Sequence, residues 1–232
     1  ALVPAARRLP SPKALRVSCA YAATVTLFVL ATKFTTAANA IFIQDTAPLY
    51  VLLLSPWLLG EKPSRGELLA VPVFLAGLGL FFLDQLAPGQ MDGNLLALAS
   101  GVAFALSIMG LRAVNAEGPS VLAVGNLIAA AVSLPGSIGG PSPEARDLLI
   151  LLFLGVFQLA LAYVLFNRGL EKVPAVEGSL LILIEPVLNP LWAFLFAGEE
   201  PGRFAVYGGA LILAATAWRT LAGARPRVPA AA

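Results

Sequence analysis

Two carboxylates lie deep in apolar sequence. Asp45 sits within "AANAIFIQDTAPLYVLLLSPWLLG" and Glu185 within "LLILIEPVLNPLWAFLFAG", each followed closely by a proline, Pro48 and Pro186. A carboxylate in a bilayer is costly unless it meets a partner or a wet cavity. Glu185 is the twelfth residue of its apolar segment, about 18 Å in at 1.5 Å per residue, which is near the midplane of a membrane. Pro186 cannot donate a backbone hydrogen bond and frees the carbonyl of Ile182 one turn earlier. A kink with an exposed carbonyl beside a carboxylate suits an ion or a polar solute. The plainer alternatives are a protonated Glu185 bonded to a neighbouring helix, a buried interhelical contact for Asp45 and ordinary kinks at the prolines. Gln44, Gln158, Tyr163, Asn189 and Tyr21 are further polar residues that either line a path or tie helices together, as are Thr24, Ser107 and Asn126. Glu177, near the end of its segment, reads as an interfacial carboxylate.

Other chemistry is excluded by composition. The 232 residues include no histidine and one cysteine, Cys19, so the commonest general base, the commonest metal ligand and any internal disulfide are lacking. No phosphate-binding G-x-x-x-x-G-K motif occurs, and no basic cluster points to nucleic acid. Catalysis within a membrane would need a nucleophile–base pair or a metal site. Only an Asp45–Glu185 dyad would serve, and neither residue sits in a catalytic motif. An intramembrane enzyme is therefore the remote alternative, and no cofactor or metal is expected.

The elements that must position these residues are membrane helices. Hydrophobic residues make up 59% of the chain and charged residues 12%, against about 45–50% and about 25% in soluble domains. Eight segments approach the about 20 apolar residues needed to cross a bilayer: Ala14–Thr32, Ala37–Gly60, Glu67–Asp84, Asp92–Arg112, Pro119–Ile138, Asp147–Arg168, Pro174–Gly198 and Gly202–Leu221. Short polar turns join them. Placing the first loop in the cytoplasm puts Arg7, Arg8, Lys13, Arg16, Lys62, Arg65, Arg112, Arg168, Lys172, Arg219, Arg225 and Arg227 inside. Only Lys33, Arg146 and Arg203 then lie outside, the asymmetry expected of an integral membrane protein. The C-terminus is then cytoplasmic.

A shift of 138 residues lays "PLYVLLLSPWLLGEKPSR" over "PVLNPLWAFLFAGEEPGR" without a gap. Pro48/Pro186, Leu53/Leu191, Gly60/Gly198, Glu61/Glu199, Pro63/Pro201 and Arg65/Arg203 match. Five spans separate the copies, an odd number, so the copies cross in opposite senses. Inverted repeats of this sort are a transporter architecture with the site near the midplane. Applied to the second copy's start near Asn94, the shift sets the first copy's start about 44 residues before Ala1. That is room for two helices at about 20 residues each. The expectation is a chain shortened at its N-terminus, opening on a cytoplasmic loop rather than a signal peptide. The "GE-x-P-x-R" loops read mainly as turns, with Gly60 and Gly198 in the left-handed position after a helix and Pro63 and Pro201 starting the next; tight gating contacts between the repeats are the alternative.

The motif "EPVLNPLWAFLFAGEEP" (Glu185–Pro201), its partner "APLYVLLLSPWLLGEKPS" (Ala47–Ser64) and the small-residue run "VYGGALILAATAW" make the chain resemble the EamA-type members of the drug/metabolite transporter superfamily. In the first copy Ala47 stands where the second has Glu185. The resemblance implies an all-α integral membrane fold of inverted five-helix repeats, eight transmembrane helices being present of ten. Residues 1–88 would be the C-terminal part of the first repeat (helices 3–5), 89–222 the second (helices 6–10) and 223–232 a disordered cytoplasmic tail. It implies a secondary transporter in the plasma (inner) membrane, a metabolite exporter for small organic metabolites, amino acids or drugs, working by alternating access. The alternative is an incomplete or inactive transporter fragment or helper. The substrate/ion-binding candidates are Gln44, Asp45, Pro48, Gln158, Tyr163, Glu185, Pro186, Asn189 and Tyr21. The expected partners are a small-molecule solute, the lipid bilayer and protons as the coupling ion.

Overall fold

The computed structural model describes residues 10–83, 90–114, 117–137, 144–182, 184–185, 187–188, 195 and 202–223. Within them the chain is all helical: α1 (Pro12–Phe34), α2 (Ala37–Gln44), α3 (Ala47–Leu58), α4 (Arg65–Phe82), α5 (Met91–Val114), α6 (Gly118–Ser137), α7 (Ala145–Phe153), a π-helical segment (Leu154–Leu161), α8 (Ala162–Leu170), α9 (Ala175–Ile182) and α10 (Arg203–Gly223). Among the described residues, five stretches are long and apolar enough to cross a membrane: Pro12–Phe34, Ala37–Leu58, Met91–Val114, Gly118–Gly136 and Ala145–Leu170. Many large apolar side chains, Trp57, Leu53 and Leu127 among them, face outward, as helices solvated by lipid require.

Polar caps set the helix ends. Ser11 starts α1 by accepting the Ala14 N–H at 3.2 Å. Ser64 and Glu67 form a reciprocal capping box at α4, with the Ser64 N–H donating to Glu67 Oε2 at 2.6 Å. Gly60 has φ +68°, the left-handed conformation expected after α3. Pro63 does not start the next helix: Ser64 is the cap and Arg65 the first helical residue, because the capping box satisfies two backbone donors that a proline start would leave open.

Two expected spans are interrupted. Ala37–Gly60 divides into α2 and α3 at Asp45 and Thr46, and Asp147–Arg168 runs through the π segment. The core forms where α1 packs on α5 and α6, α2 and α3 on α5, α3 on α9, and α4 on α10. Contacts are close because small residues line them. Ala70, Gly77, Gly208 and Ala215 are buried between α4 and α10, and a Cβ on Gly77 would lie 3.2 Å from the Gly208 carbonyl. Without a water-driven force between helices in lipid, such backbone approach supplies the packing energy. No residue of α7 or the π segment is buried.

Candidate functional site

The break between α2 and α3 is the centre of the site. Pro48 is buried in the first turn of α3 and offers no N–H to the Gln44 carbonyl. The chain unwinds just before it. The Asp45 N–H still reaches the Ile41 carbonyl at 2.8 Å, but the Thr46 N–H turns to the Ile43 carbonyl at 3.3 Å, which also accepts the Thr46 hydroxyl at 2.6 Å. Gly101 of α5 lets the two chains meet here, since a Cβ on it would stand 3.2 Å from the Gln44 carbonyl oxygen and 3.4 Å from that of Ile43.

Asp45 ends α2 at this break and is 8% exposed. Among the described residues its carboxylate has neither a hydrogen-bond donor nor a counter-cation; the one salt bridge there joins Arg112 to Glu61. Glu185 is exposed and helical, in the stretch that follows α9. Tyr163 of α8 meets Tyr21 of α1 edge to face, with centroids 4.9 Å apart, and also Phe166, at 6.3 Å. The Tyr21 hydroxyl donates to Asn126 Oδ1 of α6 at 3.3 Å, and Asn126 Nδ2 donates to the Leu122 carbonyl at 2.8 Å. Gly125 leaves the room that the Tyr21 ring occupies. The arrangement is a nearly buried carboxyl group at a helix break, with a packed tyrosine pair on α1 and α8, and a proton or a cationic group would meet no paired cation at Asp45 among the described residues.

The sequence-derived candidates divide into four groups. Asp45 and Pro48 lie at the break, Tyr21 and Tyr163 pack on each other, and Glu185 is exposed after α9. Gln44 is used structurally: its Nε2 donates to Ser100 Oγ at 2.6 Å, Ser100 donates to the Thr24 carbonyl at 2.9 Å, and the Thr24 hydroxyl stands 3.3 Å from Ser107 Oγ. Gln158 is exposed in the π segment and hydrogen-bonds to none of them. Pro186 and Asn189 lie outside the described residues. Sequence reasoning missed Ser100 and Thr46. Single hydroxyls in apolar helices carry no periodic or motif signal, and only tertiary contact gives them a role.

Comparison with known proteins agrees with this architecture. The model of the EamA-like transporter family matches residues 9–83 and 91–221. An uncharacterized transporter of Archaeoglobus fulgidus is 32% identical over 206 residues, covering 84% of this chain and 72% of the relative. The threonine/homoserine exporter RhtA of Escherichia coli (strain K12) is 32% identical over 203 residues, and the chain spans 66% of its length. A crystal structure 23% identical in sequence superposes with a TM-score of 0.82, over 97% of this chain and 81% of the other, a likeness of fold.

Proposed function

The chain belongs to the EamA-like transporter family, and from that premise we propose that it exports small organic metabolites, zwitterionic amino acids among them, by alternating access. It is a multi-pass membrane protein and a transporter rather than an enzyme. The observation that carries the finer reading is Asp45: a nearly buried carboxyl group at a helix break, without a paired cation among the described residues. Discontinuous helices at mid-bilayer are where carriers hold solute and coupling ion. An ammonium group supplies the positive charge this site lacks, and a proton is the alternative occupant that would drive exchange. The name of the RhtA relatives, threonine/homoserine exporter, supports an amino acid as the solute.

The inverted-repeat reading belongs to the same proposal, with its boundary near residue 88. The 138-residue shift maps α4 onto α10, and these two pack against each other through repeat-matched small positions, Ala70 with Gly208 and Gly77 with Ala215. The same shift maps α1 onto the stretch from α7 to α8. α1 is flanked by α5 and α6, whereas α7 and the π segment bury nothing. That bare face supports two further helices in the first repeat. The asymmetry of Lys and Arg supports an inner-membrane orientation with α5 and α8 ending in the cytoplasm.

The test is uptake of labelled amino acids and cationic drugs into everted membrane vesicles, with and without a pH gradient. Accumulation above vesicles lacking the protein is expected for at least one amino acid. No accumulation of any solute under either condition would reject the reading.

A further inference from the structure

We propose that Glu61 and Arg112 form the cytoplasmic gate of the transport cycle; this rests on the carrier reading above and its orientation. Glu61 lies in the loop between α3 and α4. Its Oε1 accepts from Arg112 Nε at 3.0 Å, and its Oε2 accepts from the Ala175 N–H at 3.1 Å. Arg112, in the last turn of α5, donates through Nη1 to the carbonyls of Leu170 at 2.9 Å and Glu171 at 3.0 Å. One carboxylate and one guanidinium thus tie the α3–α4 loop to the end of α5, the end of α8 and the start of α9. Each charge also complements a helix terminus: the carboxylate at the N-terminal end of α9, the guanidinium at the C-terminal end of α8.

The ties sit over a shut seam. Ala47, Val51 and Ser55 form one buried stripe along α3, running from the Asp45 break toward Glu61. Facing helix α9 contributes buried Ala175, Val176, Ser179 and Leu180. On this α3 stripe Ser55 is fully buried and its hydroxyl has no hydrogen-bond partner among the described residues. A polar group left dry under an ion pair is costly in a permanent interface, but it gains water in a state where the seam opens. The pair itself is suited to repeated breaking. Its side chains are 27% and 29% exposed, and ion pairs reached by water hold weakly enough to be exchanged for hydration.

The experiment uses the chain in everted vesicles, with Cys19→Ser to remove the native thiol and Ser55→Cys as the reporter under the gate. A membrane-impermeant maleimide is added to the cytoplasmic face. Labelling is expected to be slow with the gate intact. It should rise about tenfold in Glu61→Gln and in Arg112→Ala, the factor corresponding to about 1.4 kcal/mol. Arg112→Lys should rise less, because a lysine restores the charge but cannot reach Glu61 and both carbonyls together. Ala97→Cys, buried toward the other end of the bundle, should stay protected throughout. Unchanged labelling at Ser55→Cys would overturn the gate. A joint rise at Ser55→Cys and Ala97→Cys would overturn it as well, showing that the pair only holds the fold together. The readout needs no substrate, so the labelling change in a chain that moves no solute would uphold the gate and reject the carrier reading. Transport with unchanged labelling would reject the gate alone.

Discussion

The rings of Tyr21 and Tyr163 meet at 88° with their centroids 4.9 Å apart, joining α1 to α8. Tyr21 is 1% exposed and spends its hydroxyl on Asn126. The two functions of this side chain separate on substitution. Tyr21→Phe keeps the ring contact and is expected to cost about 1 kcal/mol, the net value of one hydrogen bond. Tyr21→Ala opens a cavity and is expected to cost about 3 kcal/mol or more. Thermal unfolding of the purified variants in detergent measures both, and equal losses would contradict the packing role of the ring.

Gly125 and Gly101 are held to glycine by neighbours that differ in how far they can yield. A Cβ on Gly125 would lie 2.5 Å from a Tyr21 ring carbon and 3.0 Å from the Ser18 carbonyl oxygen; one on Gly101 would lie 3.2 Å from the Gln44 carbonyl oxygen. Gly125→Ala should therefore destabilise by about 1–3 kcal/mol through overpacking. Gly101→Ala should cost less in stability and, by pushing on the helix break, more in transport. Paired unfolding and uptake measurements on the two variants give the comparison.

The Ser11 N–H and hydroxyl donate to Glu117 at 2.7 and 2.9 Å and hold its carboxyl below the ordinary value of 4.5. A carboxylate whose folded-state value is depressed stabilises the protein above its unfolded value and loses that contribution as pH falls through the folded value. Stability should thus drop below about pH 4.5 in the native chain. In Glu117→Gln this component of the drop should be missing. Midpoints of unfolding between pH 3 and 7 for the two proteins, each compared with its own value at pH 7, check this.

Much of the fold was legible because lipid imposes long apolar runs, and eight such runs account for the helices seen. Asp45, Glu185 and Pro48 stood out as candidates for the same reason, since a polar or helix-breaking residue is conspicuous against an apolar background. The break at Asp45–Thr46 was not. Proline shows where a hydrogen bond is lost, but which neighbouring residues unwind depends on the hydroxyl of Thr46 and on Gly101 in another helix. The structural use of Gln44 and the isolation of Gln158 were hidden for a related reason: the side chain has the same chemistry in both places, and only its neighbours differ. Likewise Glu61 read as part of a turn because its partners lie 51 and 114 positions away in sequence.

If a proton shares the site with the solute, Glu185→Gln should retain binding of an amino-acid solute while weakening its response to a pH gradient. The comparison is uptake with and without the gradient in the variant and the native chain. An unchanged response would remove Glu185 from the coupling step.

The most direct test of the central claim is amino-acid uptake by Asp45→Asn in everted vesicles, at matched membrane levels and with its thermal unfolding measured alongside. The substitution keeps the shape of the helix break and removes the one nearly buried carboxyl group within it. A loss of uptake of about tenfold or more, equivalent to about 1.4 kcal/mol of lost interaction, with the unfolding midpoint preserved, is the predicted result. Native rates and native dependence on the pH gradient in Asp45→Asn would contradict the account.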